Sequence, residues 1–188
     1  MPRLRILNSR TLYQGRVLTL KVDDIIEPGG VRARREVVVH HGSVVVLPRL
    51  ADGRVVLVRQ YRYAARQSLW ELVAGGLDGR ETVLAAARRE LLEETGYRSR
   101  RMRRLLTFYP SPGALTERMH LVEARELTLT EAQPEEDERI EVGSFSESEL
   151  RRMVAAGEIC DGKTIIGLLW TFQGWAPALK RPGASRGG

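Results

Sequence analysis

The segment from Gly75 to Tyr97 restricts the fold more than any other part of this chain. It opens on a glycine-rich turn (Gly75, Gly76, Gly79), runs through helix-forming residues from Glu81 to Thr95, and stops at Gly96, placed as a C-terminal cap. A strand is expected just before it, near Ser68 to Leu72, so the local order is strand, loop, helix. At about 100° per residue, Leu84, Ala87 and Leu91 share one helical face that must pack on something. On the adjoining face Glu90, Glu93 and Glu94 fall within roughly 100° of one another.

Three glutamates so close repel, and they sit toward the helix C-terminus, where the macrodipole disfavours negative charge. Helix stability therefore does not account for them. Hard divalent cations take carboxylate oxygens, and magnesium typically combines a few carboxylates with water and substrate phosphates. The grouping asks for magnesium, with manganese as a substitute. The plainer alternative is an exposed acidic face partnered by Arg88 and Arg89.

Elsewhere, period-two alternation predicts strands. Leu18, Leu20 and Val22 alternate with Thr19, Lys21 and Asp23, and Gly29-Gly30 turns the chain into Arg35 to His40, which reads as a hairpin. A second hairpin is expected from Val44 to Leu47 and Val55 to Val58 around Asp52-Gly53. Further strands are predicted near Leu105 to Tyr109, Met119 to Glu123 and Glu141 to Phe145. Helices are predicted at Ser146 to Ala156, where Ser146 and Glu149 have capping-box spacing, and at Lys163 to Phe172. Strands outnumber helices without regular alternation, so the expected class is α+β, a mixed β-sheet between helices in an α/β/α sandwich. The expected organisation is an N-terminal antiparallel β appendage over 1–42, a main domain over 43–179, and a disordered Arg/Gly/Pro/Ser tail over 180–188.

A chain of 188 residues, 43% hydrophobic, can bury one core of this kind. The formal charge of +6 is almost wholly arginine, since Lys21, Lys163 and Lys180 are the only lysines. Guanidinium forks favour phosphate-bearing ligands. The densest patch, Arg98, Arg100, Arg101, Arg103 and Arg104, lacks interleaved aromatics and reads as a solvated basic surface past the helix end, so nucleic acid is not the expected partner. The lone Cys160 excludes an internal disulfide. No run of about 18 apolar residues and no secretory leader are present, so a cytoplasmic protein with no membrane partner is expected.

The order Gly75, five residues, Glu81, seven residues, then Arg89-Glu90-Leu91-Leu92-Glu93-Glu94-Thr95-Gly96-Tyr97 resembles the Nudix box at every defining position. The resemblance implies a mixed sheet between helices and hydrolysis of a nucleoside diphosphate linked to another moiety. It implies Glu90 and Glu94 as principal metal ligands, Glu93 as a further ligand with a catalytic part, the Ala74 carbonyl as another donor, and an Arg89–Glu81 pair holding loop to helix.

Flanking residues resemble the ADP-ribose pyrophosphatase subfamily. Arg59-Gln60-Tyr61-Arg62 precedes Trp70-Glu71-Leu72-Val73-Ala74-Gly75, with Val73 where that subfamily often has proline, and Ser111-Pro112-Gly113 puts a proline 16 residues after Gly96. By that resemblance Arg62, Asp78, Ser111, Gly113 and Glu117 line the site, and the acidic run Glu135-Glu136-Asp137-Glu138 supplies a general base, Glu136, and a metal-linked carboxylate, Glu138. It also implies a homodimer with exchanged N-terminal strands, in which Arg34, Arg35 and Glu36 resemble the segment that reaches the partner's ligand; a charged turn entering Val37 to Val39 explains these residues equally well. The implied products from ADP-ribose are AMP and ribose 5-phosphate. The competing readings are a Nudix hydrolase of another nucleoside diphosphate sugar, such as ADP-glucose or GDP-mannose, and a catalytically silent Nudix fold that binds ADP-ribose or RNA.

Overall fold

The computed structural model describes residues 3–130 and 140–172. The acidic run with Glu136 and Glu138, and the tail over 180–188, lie outside the described residues.

Three β-sheets and three helices make up this part of the chain. β1 (Arg5–Gln14), β2 (Thr19–Ile26) and β3 (Arg32–Val39) form an antiparallel meander. Gly29 and Gly30, with φ of 111° and 89°, make its second turn, a backbone shape that side-chain-bearing residues resist. A four-stranded mixed sheet has the order β7-β4-β9-β8, from β4 (Ser43–Pro48), β7 (Val73–Gly76), β8 (Tyr97–Phe108) and β9 (Met119–Leu129). In it β4 and β9 are parallel, and the other pairs antiparallel. A third sheet, antiparallel throughout, has the order β10-β5-β6, from β5 (Val55–Arg62), β6 (Gln67–Glu71) and β10 (Glu141–Phe145).

The helices are α1 (Val83–Thr95), α2 (Glu147–Ala155) and α3 (Gly162–Phe172). Alternate residues of β4 explain the layering. Val44 and Val46 pack with Ala86, Ala87 and Leu91 of α1, whereas Val45 and Leu47 pack with Leu57, Leu72, Leu121, Leu150 and Leu168 on the side of α2 and α3. A central strand apolar on both faces, between helical layers, is the α+β sandwich expected. Among the described residues no helix is long and apolar enough to cross a membrane.

The expected second hairpin is corrected. Its turn forms, with Leu50 N–H donating to Arg54 O at 2.8 Å and Gly53 at φ 89°. Its arms, however, meet only at the Arg49–Val55 bridge and then enter different sheets. Both arms are buried along their apolar runs, and each already has a strand on either edge, β7 and β9 for β4, β6 and β10 for β5. No edge is left for them to share. The arginine patch differs too: it lies within β8, a 12-residue edge strand that starts directly after the Gly96 cap. Its five arginines are exposed, as expected, but strand propensity gave no sign of the ladder.

Candidate active site

Local backbone geometry puts the acidic helix face beside a cleft. β7 is held against β4, Leu77 N–H donates to Gly42 O at 3.1 Å, and α1 starts where the Thr82 side chain accepts from Ala85 N–H at 3.2 Å. At its other end Gly96, φ 73°, donates to Leu92 O. The face carrying Ala86, Ala87 and Leu91 enters the core and draws two carboxylates partly with it, since Glu90 is 8% exposed and Glu94 6%. Glu90 lies directly on the β7 backbone: a Cβ added to Gly75 would stand 1.9 Å from Glu90 Oε1. That contact explains the glycine more directly than conformational freedom does.

Arg89 ties the loop to the helix. Its Nε and Nη2 donate to Glu81 at 3.3 and 3.0 Å, Nη2 also to Gly76 O at 3.1 Å, and Nη1 to Glu90 Oε1 at 2.7 Å and Glu93 Oε2 at 3.1 Å. The hydrogen bonds to Glu81, with the charge of Glu90 behind them, raise its pKa above the ordinary guanidinium value. Glu81 and Arg89 thus meet as the box resemblance implied.

The donor set at this place is three carboxylates, Glu90, Glu93 and Glu94, with the Ala74 carbonyl on the adjoining strand. All are hard oxygen donors of the class that holds magnesium or manganese, and the close seat of Glu90 on Gly75 brings one carboxylate beside the β7 backbone. The donors fit such an ion chemically. Among the described residues no three acidic, imidazole or thiol groups close on one point, and Arg89 Nη1 stands between Glu90 and Glu93.

A cleft of about 380 Å³ opens beside them, lined by Arg62, Ala74, Gly75, Glu117 and Pro110, and also by Ser43, Asp161 and Lys163. Arg62 is anchored from beneath. Its Nε donates to Glu71 Oε1 and its Nη2 to Glu71 Oε2, each at 2.8 Å, and Lys163 Nζ bonds the same carboxylate while standing 3.0 Å from Asp161 Oδ2. Burial opposes ionisation of Glu71, but the Arg62 fork and Lys163 outweigh it and hold its pKa below the usual carboxylate range. Glu117 accepts from Ser43 Oγ and lies 3.6 Å from His40 Nδ1.

A second cleft of about 460 Å³ shares Gly76 with the first and is lined by Arg16, His40, His41, Asp78, Arg89 and Glu90 among others. Asp78 therefore faces this side, 3.6 Å from Arg89 Nη2. Ser111 and Gly113 are exposed in a loop clasped to β3 through Val38 N–H to Ala114 O at 2.8 Å and Thr116 N–H to Val38 O at 3.0 Å; they line neither cleft, and Pro110 is the part of that loop that does. Arg35 pairs with Glu27 on the N-terminal sheet and Glu36 lies opposite Val22, so both stand apart from the two clefts.

Glu71, Lys163, Asp161, Ser43 and His40 were not singled out from sequence. Two of them left a trace: Glu71 is a charge among the apolar residues Leu69 to Val73, and Lys163 is one of three lysines in an arginine-rich chain.

Residues 39–164 match the family model of the NUDIX domain. The chain is 36% identical over 155 residues to the ADP-ribose pyrophosphatase of Bacillus subtilis, covering 81% of this chain and 84% of that one. It is 35% identical over 166 residues to the methanol dehydrogenase activator of Bacillus methanolicus, covering 87% and 90%. A solved structure described as an ADP compounds hydrolase superposes with a TM-score of 0.78 over 90% of this chain and 92% of that one, at 22% identity.

Proposed function

Because this chain belongs to the Nudix family, we propose that it hydrolyses the pyrophosphate bond of ADP-ribose to AMP and ribose 5-phosphate, using magnesium, or manganese in its place. One observation carries the reading: Ala74 and Gly75, the strand segment on which the Glu90 carboxylate of α1 sits, line a cleft together with Arg62 and Lys163, cations fixed by buried Glu71. Carboxylates able to hold a divalent cation, next to guanidinium and ammonium groups able to hold phosphate oxygens, suit a pyrophosphate.

When bound, the metal neutralises the diphosphate and acidifies a water. Arg62 and Lys163 orient the phosphates, and Glu117, held by Ser43, sets the position of the ribose end. Water oxygen bonds to one phosphorus as the bridging oxygen leaves with the other, so that two phosphate monoesters result. We assign proton removal from that water to Glu136 and a metal-linked role to Glu138, with Glu93 assisting on the helix.

The exposed apolar residues of the first three strands and their connections, Ile6, Leu12, Tyr13, Val17 and Val31 among them, support a homodimer in which residues 1–42 are exchanged and Arg35 and Glu36 approach the partner's cleft. The domain reading keeps 43–179 as the catalytic unit and 180–188 as a tail. One free cysteine, Cys160, suits the reducing cytoplasm in which we place the reaction.

The test is AMP release from ADP-ribose with magnesium, beside ADP-glucose, GDP-mannose and NADH at equal concentration. Preference for ADP-ribose is expected. Preference for another substrate keeps the chemistry and discards the substrate, and turnover of none removes the enzymatic reading.

A further inference from the structure

Away from both clefts, the ladder between β8 and β9 carries arginines around one buried carboxylate. Glu123 is 6% exposed, its register partner is Arg103, and two steps along Arg101 stands directly opposite Arg125. Residues two apart on a strand share a face, so the four side chains project together. Arg125 Nη2 donates to Glu123 Oε1 at 2.8 Å and Arg103 Nη2 to Oε2 at 3.3 Å, while Arg49 Nε stands 3.8 Å from Oε1. Arg101, Arg103, Glu123 and Arg125 enclose a hollow of about 250 Å³.

Neither stability nor solubility explains this arrangement. One arginine suffices to neutralise Glu123, and like charges directly opposite on a ladder are destabilising, as Arg101 and Arg125 are here. Exposed charge on an edge strand discourages strand addition, which accounts for Arg98 and Arg100. It does not account for two guanidiniums held by a carboxylate beneath them, with a third, that of Arg101, which makes no hydrogen bond or ion pair to any described residue.

We propose that Arg101, Arg103 and Arg125, ordered by Glu123, form a second site, which binds a phosphate group of inorganic phosphate or of a nucleoside monophosphate. Guanidinium forks match phosphate oxygens in pairs, and an anion between Arg101 and Arg125 turns a repulsion into two attractions. Fixing Arg103 and Arg125 beforehand lowers the ordering cost of binding. No aromatic ring lines the hollow, so it offers no stacking platform for a nucleic-acid strand. Met119, on the wall of the catalytic cleft, precedes Glu123 by four residues on β9, which separates the two places by about 13 Å along the strand.

Calorimetric titration of the full-length protein without divalent metal, using inorganic phosphate and then AMP, tests the site in wild type, in R101A/R103A and in R62A. The expected result is saturable binding in wild type and R62A, weakened roughly tenfold or more in R101A/R103A by loss of charge-assisted contacts. R101A/R103A should keep the wild-type circular dichroism spectrum and ADP-ribose turnover, and R101K should bind more tightly than R101A. Equal affinity for both ligands identifies the bare anion as sufficient; tighter AMP binding identifies the monoester. The proposal is overturned if wild type binds neither, if R101A/R103A binds as wild type does, or if only R62A loses binding. It is overturned as well if these arginines bind single-stranded RNA while phosphate and AMP binding ignore them.

Discussion

Replacement of Glu71 by glutamine, which keeps the size, exchanges one carboxylate oxygen for an amide NH₂ and removes one full charge, tests how the cleft is held up. Glu71 is 1% exposed and serves three donors: both arms of the Arg62 fork at 2.8 Å, and Lys163 Nζ. Glutamine keeps one acceptor for Arg62 and turns an NH₂ toward a second cation, leaving Lys163 with Asp161 alone. Removing one partner of a buried ion pair costs about 3–5 kcal/mol. Because Arg62 is partly exposed and can rehydrate, the low end, about 3 kcal/mol, applies. For a chain of this size that lowers Tm by about 6–12 °C. The pH dependence has a definite sign. A carboxylate with a depressed native pKa adds stability above its unfolded pKa and loses it as pH falls through the native value. The deficit of E71Q should therefore be full at neutral pH and shrink in acid, below the ordinary glutamate value. The assay is thermal and urea unfolding of both proteins from pH 7 down to acid, with KM for ADP-ribose at pH 7, where a rise is expected as Arg62 loses its anchor. A loss under about 1 kcal/mol at pH 7, or a deficit that does not change with pH, refutes the view that a buried anion holds this wall.

Other outcomes follow from the same geometry. E94Q should lose most ADP-ribose turnover while its circular dichroism spectrum stays that of wild type; turnover equal to wild type would remove Glu94 from the metal set. G75A places a methyl group on the Glu90 carboxylate, so the magnesium concentration for half-maximal rate should rise before stability falls markedly, and an unchanged magnesium requirement counts against the seat described for Glu90. T82A should cost about 1 kcal/mol through loss of the α1 N-cap, read by urea unfolding. E136Q should cost more in kcat than E138Q, and the reverse result moves the base to Glu138.

The parts of this fold that declared themselves in sequence are those where one physical rule acts alone. α1 has a 3.6-residue apolar period and a terminal glycine, and its observed end at Thr95 is the expected one, whereas its start lies at Val83 behind the Thr82 cap and not at Glu81. β10 and α3 are similarly local. The failures are tertiary. Val44 to Leu47 and Val55 to Val58 look like hairpin arms because the turn between them is a strong one, yet the burial of both faces of each strand sends them to separate sheets. β8 hid behind its arginines, which an edge strand tolerates and a propensity scale does not. At the site, Glu90, Glu93, Glu94 and Arg89 were legible because a helix converts spacing into direction. Glu71 and Lys163, 92 positions apart, meet only because β6 and the start of α3 pack together, and no local pattern announces that.

Arg89 has a consequence for how the protein lives without its ion. With its guanidinium hydrogen-bonded to Glu81, Glu90 and Glu93 and to the Gly76 carbonyl, the acidic helix carries its own counter-cation as part of the chain. Assembly of the domain then need not wait for metal, unlike small folds whose ligands stay apart until an ion joins them. Chelation should silence such a protein without unfolding it, and readdition of magnesium should restore it within the time of mixing. On the metal reading proposed above, loading would be a change of partner, in which Glu90 and Glu93 exchange a resident cation for a visiting one while Arg89 keeps its hold on the loop through Glu81.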